Sequence, residues 1–453
     1  MRRKVTLSVL GAAVGARVIR ATKENWATPA TAIRKVLGVF CWSLVSLLAG
    51  SAAARADVAQ DWNVIAVNTA VANKQNPFAQ ARYAAIVQLA VFEAVNSITG
   101  KYQPYLGTIT AQPDASPEAA AIEAAYQVLN FYFPNSASAL LTAYTNSLAQ
   151  IPDGQAKLDG IAVGDAAAAA MIALRSNDGS SPPQFAVPGP PAPGVWQATP
   201  SCPIVNGVAV GIAFQWQYVT PFGIPSASDF LLGPPPELTS NAYTKAYNEV
   251  MMVGSVNSIE RPQDRANVAL FYAASSPTQV FNQAAGQVAQ ERGSSLSENA
   301  RALALINMAM SDSLVVSFLN KYHYNFWRPE TAIHVGDTDG NPNTAGDPNW
   351  TPFITTPCFP SYPSNHGSAG NGAAEVLRRL YGEAGHAITL TNPAVPTIVL
   401  QYTSFKQITD DISDARVYGG IHFRTDQEAG ADLGRAVGTA VYKNNLRPVH
   451  HDE

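Results

Sequence analysis

Three short segments of the 453-residue chain carry side chains that could act together on an anion. The first is Lys321-Tyr322-His323-Tyr324-Asn325-Phe326-Trp327-Arg328-Pro329. A lysine and an arginine seven residues apart fall on nearly one face of a helix, two turns distant, and Pro329 predicts where that helix ends. Two cations beside aromatic rings suit an anion held away from bulk water. The second segment is Pro363-Ser364-Asn365-His366-Gly367-Ser368-Ala369-Gly370, ahead of a strongly helical stretch over 373–381. With Ser364 as N-cap, Asn365 and His366 fall in the first turn, where free backbone N–H groups and the helix dipole form an anion cradle. Gly367, Gly370 and Gly372 would let another backbone approach closely. The third is Arg416-Val417-Tyr418-Gly419-Gly420-Ile421-His422-Phe423-Arg424-Thr425-Asp426. Gly419-Gly420 interrupts any helix arriving from the left, and a long amphipathic helix follows to about Tyr442. That places His422 at a helix N-terminus with Asp426 one turn on, able to hold one imidazole nitrogen and leave the other free. Alone, each segment also reads as a solvated Lys/Arg pair, a helix start with a surface histidine, or a structural His–Asp pair. Together they supply three cations, two histidines, a serine and two helix N-termini, the donor set that a tetrahedral oxyanion needs.

The order Lys-x6-Arg-Pro, Pro-Ser-x-His, Arg-x5-His-x3-Asp resembles the signature of the type 2 phosphatidic acid phosphatase superfamily, which includes bacterial acid phosphatases and the vanadium-dependent haloperoxidases. The resemblance is firm over about 305–435, and the Gly-x-His-aromatic-Arg core of the third segment is closer to the haloperoxidase branch, as are Trp327-Arg328-Pro329 and Trp350-Thr351-Pro352-Phe353. Asp61-Trp62-Asn63 and Phe92-Glu93-Ala94-Val95-Asn96 match that group only loosely. The resemblance implies an all-α fold of two helical bundles with the anion site in the C-terminal one. It implies vanadate as cofactor, bound through His422, with phosphate able to occupy the same site. Asp426 would orient His422. Lys321, Arg328 and Arg416 would neutralise the oxyanion oxygens, Ser364 and the Asn365 N–H would add hydrogen bonds, and His366 would act as acid–base group. The implied activity is oxidation of halide by hydrogen peroxide to hypohalous acid. The alternative is a secreted acid phosphatase that hydrolyses phosphomonoesters through a phospho-His422 intermediate. A third reading, a non-catalytic anion-binding scaffold, leaves the acid–base His366 without a purpose. Two positions depart from the family: Asn365 stands where glycine is usual, and Ala415 stands where a serine often precedes the arginine.

The elements that must position these groups are mostly helices. Alanine-rich runs with apolar residues three and four apart predict helices over 78–98, 135–150 and 153–175, with another opening at Ser116-Pro117-Glu118. Each would bury one stripe, so 57–175 reads as an N-terminal bundle. Pro182, Pro183, Pro188, Pro190, Pro191 and Pro193, then Pro234, Pro235 and Pro236, forbid a helix or central strand, and 176–237 reads as a long ordered connection because it also holds Trp196, Trp216 and Phe222. Helices resume at 237–253, 262–274 and 298–319, so 238–445 reads as the C-terminal bundle and 446–453 as a polar tail with His450 and His451 exposed. Asp312 lies nine residues before Lys321, on the opposite helix face, and receives no role. His323, Tyr322 and Trp327 read as aromatic packing, and His334 and His386 have no identifiable partner.

Arg34-Lys35, the apolar run 36–48 and the stretch ending Ala54-Arg55-Ala56 describe a secretory signal with residues 1–33 ahead of it, predicting a secreted or periplasmic protein. The run is too short for a comfortable membrane span, so no membrane contact is expected after cleavage. In an oxidising compartment Cys202 and Cys358 could pair. Only 14% of residues are charged and the formal net charge is -4, with no basic run, which argues against a nucleic-acid partner. Residues 1–56 hold nine of the 29 Lys and Arg but one of the 33 acidic residues, so the remainder carries 20 basic and 32 acidic side chains, net -12. The expected partners are hydrogen peroxide and halide, or a phosphomonoester, and the 47% hydrophobic content is weakly in favour of a homodimer.

Overall fold

A computed structural model describes residues 57–449. The proposed signal and the last four residues, His450 and His451 among them, lie outside the described residues. Five helices come first: α1 (Val58–Ala72), α2 (Pro77–Thr99), α3 (Pro117–Tyr132), α4 (Ala137–Leu148) and α5 (Gln155–Arg175). Asn76 and Ser116 cap α2 and α3 by accepting from the N–H three residues on, with proline at the first helical position of each. The connection over 176–237 is ordered and without α-helix, as its prolines require, and carries a two-stranded ribbon, β1 (Ile204–Val205) and β2 (Val208–Ala209). Its Trp196, Trp216 and Phe222 are buried.

Then follow α6 (Asn241–Val253), α7 (Gln263–Ala274), α8 (Pro277–Arg292), α9 (Leu296–Tyr324), α10 (Pro329–His334) and α11 (Asn365–Tyr381), the antiparallel pair β3 (Ala384–Leu390) and β4 (Leu400–Ser404), and α12 (Phe405–Tyr418) and α13 (Arg424–Asn444). The fold is all-α, with thirteen helices and two small ribbons among the described residues. The sequence reading passed over α8, although Ser276-Pro277 and Gln279 form a proline-led capping box at its start. β3 and β4 were also unforeseen.

α9 is the axis of the fold. It is long and apolar enough to cross a membrane by length and composition, but 94% of its apolar window is buried among other helices, as in a core helix. α2 packs on it from the first group, and α11 and α13 from the second, so a single main core contains residues from α1 to α13. Three buried carboxylates clamp the loops onto this core. Glu93 accepts the N–H groups of Tyr105, Leu106 and Gly107 at 2.8–3.1 Å. Asp178 bridges Arg82 at 2.7 Å and Arg175 at 3.0 Å. Asp312 accepts from Phe222, Gly223 and Ile224 at 2.6, 2.7 and 3.1 Å. Asp312 thus faces away from the anion segments, as its spacing predicts, and holds the proline-rich connection against α9. The stretch 446–449 is docked: the Leu446 carbonyl accepts from Arg301, that of Arg447 accepts from Gln103, and Pro448 bridges Tyr102.

α11 and α13 meet backbone to backbone. Gly430, Gly434 and Gly438 form a stripe at four-residue spacing along α13. A Cβ on each would lie 2.7 Å from the Ser364 carbonyl oxygen, 2.1 Å from that of Ser368 and 2.5 Å from that of Gly372. On α11, a Cβ at Gly372 would sit 2.6 Å from the Ser313 hydroxyl. Because the obstacle at Gly434 is backbone inside a helix, it cannot swing aside. Gly434→Val is therefore expected to lower unfolding free energy by roughly 3 kcal/mol or more, read from urea unfolding followed by circular dichroism.

Candidate oxyanion site

The three sequence segments converge at the ends of α9, α11, α12 and α13. α9 stops at Tyr324, because Asn325 adopts a left-handed conformation (φ 50°) and its N–H closes on the Lys321 carbonyl. Lys321 is in the last turn of α9, whereas Arg328 lies beyond the helix, at the N-cap of the short α10. The two cations therefore do not share a helix face. They approach because the chain turns at Asn325, and both stack over the Phe359 ring, at 5.2 and 5.1 Å from its centroid.

Lys321 is fully buried and donates to the carbonyls of Pro360, Ser361 and Pro363 at 2.9, 2.9 and 2.5 Å. An ammonium has three donors. Those three carbonyls take up all of its donors, which leaves its charge to neutralise an oxyanion. It fixes the 360–363 loop and contributes charge. Arg328 donates through Nε to the Phe359 carbonyl at 2.9 Å and through Nη1 to the Ile421 carbonyl at 2.8 Å, with His422 Nε2 at 3.0 Å from the same Nη1. Its Nη2 is buried without a partner. Arg416, in the last turn of α12, touches only the Tyr272 carbonyl, at 3.4 Å, and its Nε is likewise unpartnered.

His422 precedes the N-cap of α13, outside the helix, and Asp426 is the third residue inside it. Asp426 Oδ2 accepts from the Phe423 N–H at 3.1 Å, as a capping-box acid does, and sits 2.9 Å from His422 Nδ1. Ser361 donates to the same oxygen at 2.6 Å and lies 3.3 Å from Nδ1. The network assigns the proton to Nδ1 and leaves a lone pair on Nε2. Gly420 makes the approach to His422 feasible: its φ is +80°, and a Cβ there would meet the Gly254 carbonyl at 2.3 Å.

Ser364 is the N-cap of α11 and accepts from the Gly367 N–H at 3.1 Å. Asn365 and His366 occupy the first turn, whose N–H groups have no acceptor within the helix. The Asn365 side-chain Oδ1 accepts from the Ser317 hydroxyl at 2.7 Å, which turns the side chain toward α9. His366 is partly exposed, with the Ser275 backbone near its ring. Asn365, His366, Arg416 and His422 form one end of a cavity of about 830 Å³.

Charge in this site is unbalanced. Burial, with Arg328 and Arg416 close by, pushes the Lys321 ammonium well below its ordinary value. Burial also pushes Arg328 down to about 9 and Arg416 to about 10. His366 and His422 are held well below the usual imidazole range by burial first and by the arginines second, so both are neutral at pH 7. Burial raises Asp426 to about 6 against the pull of Ser361, Lys321 and Arg328. Three buried cations facing one carboxylate, with two guanidinium donors unpartnered, suit an oxyanion. A negative charge there would favour the charged form of each cation and pair the orphaned N–H groups.

Several contributors were missed by the sequence reading. Ser361 and Phe359 lie in the proline-rich approach to Ser364, where only the aromatic and hydroxyl types were a signal. The carbonyl of Tyr272 carries no sequence signal at all. His334 bonds the Trp350 carbonyl at 2.6 Å and His386 that of Gly382 at 3.1 Å, so both have the partners that sequence did not supply. Cys202 and Cys358 form a disulfide.

Fold and site together define a helical protein built around a buried, cationic oxyanion pocket with a tethered imidazole. The fold is that of the vanadium haloperoxidases, and residues 301–451 match the family described as the VCPO second helical-bundle domain. The vanadium chloroperoxidase of Curvularia inaequalis is 26% identical over 275 residues, 46% of this chain, and the match spans 44% of that relative's length. Among solved structures, the first bacterial vanadium-dependent iodoperoxidase superposes with a TM-score of 0.72 at 24% identity, covering 88% of this chain and 99% of the other. A holo-type bacterial vanadium-dependent chloroperoxidase gives 0.66 at 17% identity, covering 81% and 91%.

Proposed function

We propose that this protein is a vanadium-dependent haloperoxidase that oxidises halide with hydrogen peroxide. The observation that carries the reading is His422: Nδ1 is tied to Asp426 and Ser361, while the Nε2 lone pair faces Arg328, whose Nη1 donates to it at 3.0 Å and whose Nη2 has no partner. An imidazole with Nδ1 fixed by a carboxylate and its Nε2 lone pair held only by a displaceable guanidinium N–H is a metal ligand's arrangement. His422 would hold vanadate, and Arg328 Nη2, Arg416 Nε and the N–H groups of Asn365 and His366 would receive its oxygens. Bound vanadate supplies Lewis-acid activation of peroxide toward halide. Around it the chain's own residues orient and move protons. His366 is neutral and lines the cavity, so it can take the proton that peroxide loses on binding. Lys321, locked by three carbonyls, keeps the loop bearing Ser361 and Ser364 in place. Phosphomonoester hydrolysis through phospho-His422 would use the same donors, but no contact in the site favours it.

The test is bromination of phenol red by hydrogen peroxide, with and without orthovanadate, beside p-nitrophenyl phosphate hydrolysis. Vanadate should raise bromination about 100-fold or more. Hydrolysis without any vanadate-dependent halide oxidation would replace the proposal with the phosphatase reading.

We also propose that the protein is secreted or periplasmic. The basic residues, apolar run and Ala-x-Ala sequence ending at Ala56 support this, as does the Cys202–Cys358 disulfide, because such bonds persist in oxidising compartments.

A further inference from the structure

The cavity that ends at His422 is far larger than halide and peroxide need. Two or three water-sized species fill roughly 100 Å³ at about 30 Å³ each, against about 830 Å³ here. A volume of this size matches pockets that enclose small organic ligands. We propose that its apolar part binds the molecule that becomes halogenated, an electron-rich aromatic of roughly 10–20 non-hydrogen atoms, so that halogenation takes place within the protein. The inference rests on the haloperoxidase reading and names the substrate class of the same site.

Three features select an aromatic. The walls include Phe78, Phe353 and Phe359 with Ile212, Leu270 and Leu314, so most of the surface is apolar and ring edges and faces are available. The inner end is cationic: Arg416 lines it and has an unpartnered Nε. That end holds the groups assigned to the oxyanion, so a ring lying against the apolar walls has its edge directed at the reacting centre. The walls are also fixed before any ligand arrives. Phe78 packs edge-on to Trp216 and Phe318, at 4.6 and 5.1 Å. Arg261 stacks on Phe353 at 3.7 Å, and Lys321 and Arg328 hold Phe359. The Cys202–Cys358 disulfide joins the wall at Ser201 and Pro203 to the wall at Pro357 and Phe359. A rigid pocket keeps the entropic cost of binding small. Exposed Asn76, Pro77, Leu270 and Thr355 mark the mouth, so an acceptor can enter from solvent with its reactive edge toward His366 and His422.

The chemistry balances without a further reactant. Aromatic C–H, halide, hydrogen peroxide and one proton give aromatic C–X and two waters. The peroxide O–O bond breaks and takes two electrons from halide, a C–X bond forms, and the ring carbon releases its proton.

The experiment uses 1-naphthol as probe. Saturable binding to the vanadate-free protein, followed by naphthol fluorescence, is expected and should weaken at least about tenfold in Ala273→Trp. Ala273 is exposed at the cavity rim, so a new indole can fill the space without breaking the core, and an unchanged melting temperature verifies the fold. With vanadate, peroxide and bromide, the wild-type protein should give a para-to-ortho bromonaphthol ratio different from that of reagent hypobromous acid, and Ala273→Trp should return the reagent ratio. Absence of saturable binding, binding indifferent to Ala273→Trp, or a wild-type ratio equal to the reagent's would each overturn the proposal. Triiodide formation from iodide and peroxide needs no organic acceptor, so its failure would count against the haloperoxidase reading, while naphthol binding reads the pocket independently.

Discussion

His422→Ala is expected to abolish vanadate-dependent halide oxidation, with kcat/KM falling at least about 1,000-fold, equivalent to about 4 kcal/mol. The size follows from what the side chain does. Its Nε2 lone pair is held in place, with Nδ1 tied at 2.9 Å to Asp426 and Nε2 accepting from Arg328 Nη1 at 3.0 Å. Without it the guanidinium donors can still attract an anion, but nothing fixes the anion's position or accepts it as a ligand. Vanadium content after dialysis, by elemental analysis, should fall with activity. Ser361→Ala is expected to cost less, about 10–100-fold, because it removes only one of the contacts that orient the imidazole and its carboxylate. Wild-type vanadium retention in His422→Ala would show that the cation cage alone holds the cofactor.

Asp312→Ala is expected to be the most damaging substitution outside the site, lowering unfolding free energy by roughly 3–5 kcal/mol. One buried carboxylate satisfies three consecutive backbone N–H groups of the proline-rich connection. Its loss leaves three buried donors without partners beside the axial helix. Asp312→Asn keeps one acceptor and should lose about half as much. pH separates the charge from the acceptors. Burial pushes Asp312 up to about 6, against the pull of the three N–H groups and Arg175. A carboxyl whose folded pKa exceeds its unfolded value near 3.9 binds its proton more tightly when folded. Its protonated form therefore adds stability below about pH 4, and that increment is lost as pH rises through about 6. Urea unfolding of the wild-type protein between pH 4 and 7 should show this decline more steeply than Asp312→Asn. Equal slopes would show that the carboxyl titrates alike in both states.

The anion segments were legible in the sequence because their chemistry is local. A serine before a helix caps it, a Gly-Gly pair ends a helix, and a histidine four residues before an aspartate can reach it in several backbone conformations. The alanine-rich periodicity likewise specified helices, and the prolines of 176–237 excluded them. Where local rules overreached, tertiary structure decided differently. Lys321 and Arg328 were read on one helix face, but Asn325 turns the chain, and the two cations meet over Phe359 instead. The three carbonyls that take up the Lys321 donors come from residues 39 to 42 positions away. The purpose of the Gly430, Gly434 and Gly438 stripe shows only once α11 supplies the backbone that needs the space.

The sequence by itself determined which groups could bind an oxyanion, most of the helical stretches though not α8, and that Asp312 would face away from the site. Those are consequences of side-chain chemistry and of the 3.6-residue period, both contained in a few adjacent residues. Only the tertiary structure decided which donors remain unpartnered, which carbonyl Arg416 meets, that Cys202 reaches Cys358, and that an apolar cavity opens onto His422. Each of these depends on backbone groups and packing surfaces brought together from distant positions, and a carbonyl or a void has no side-chain identity to read.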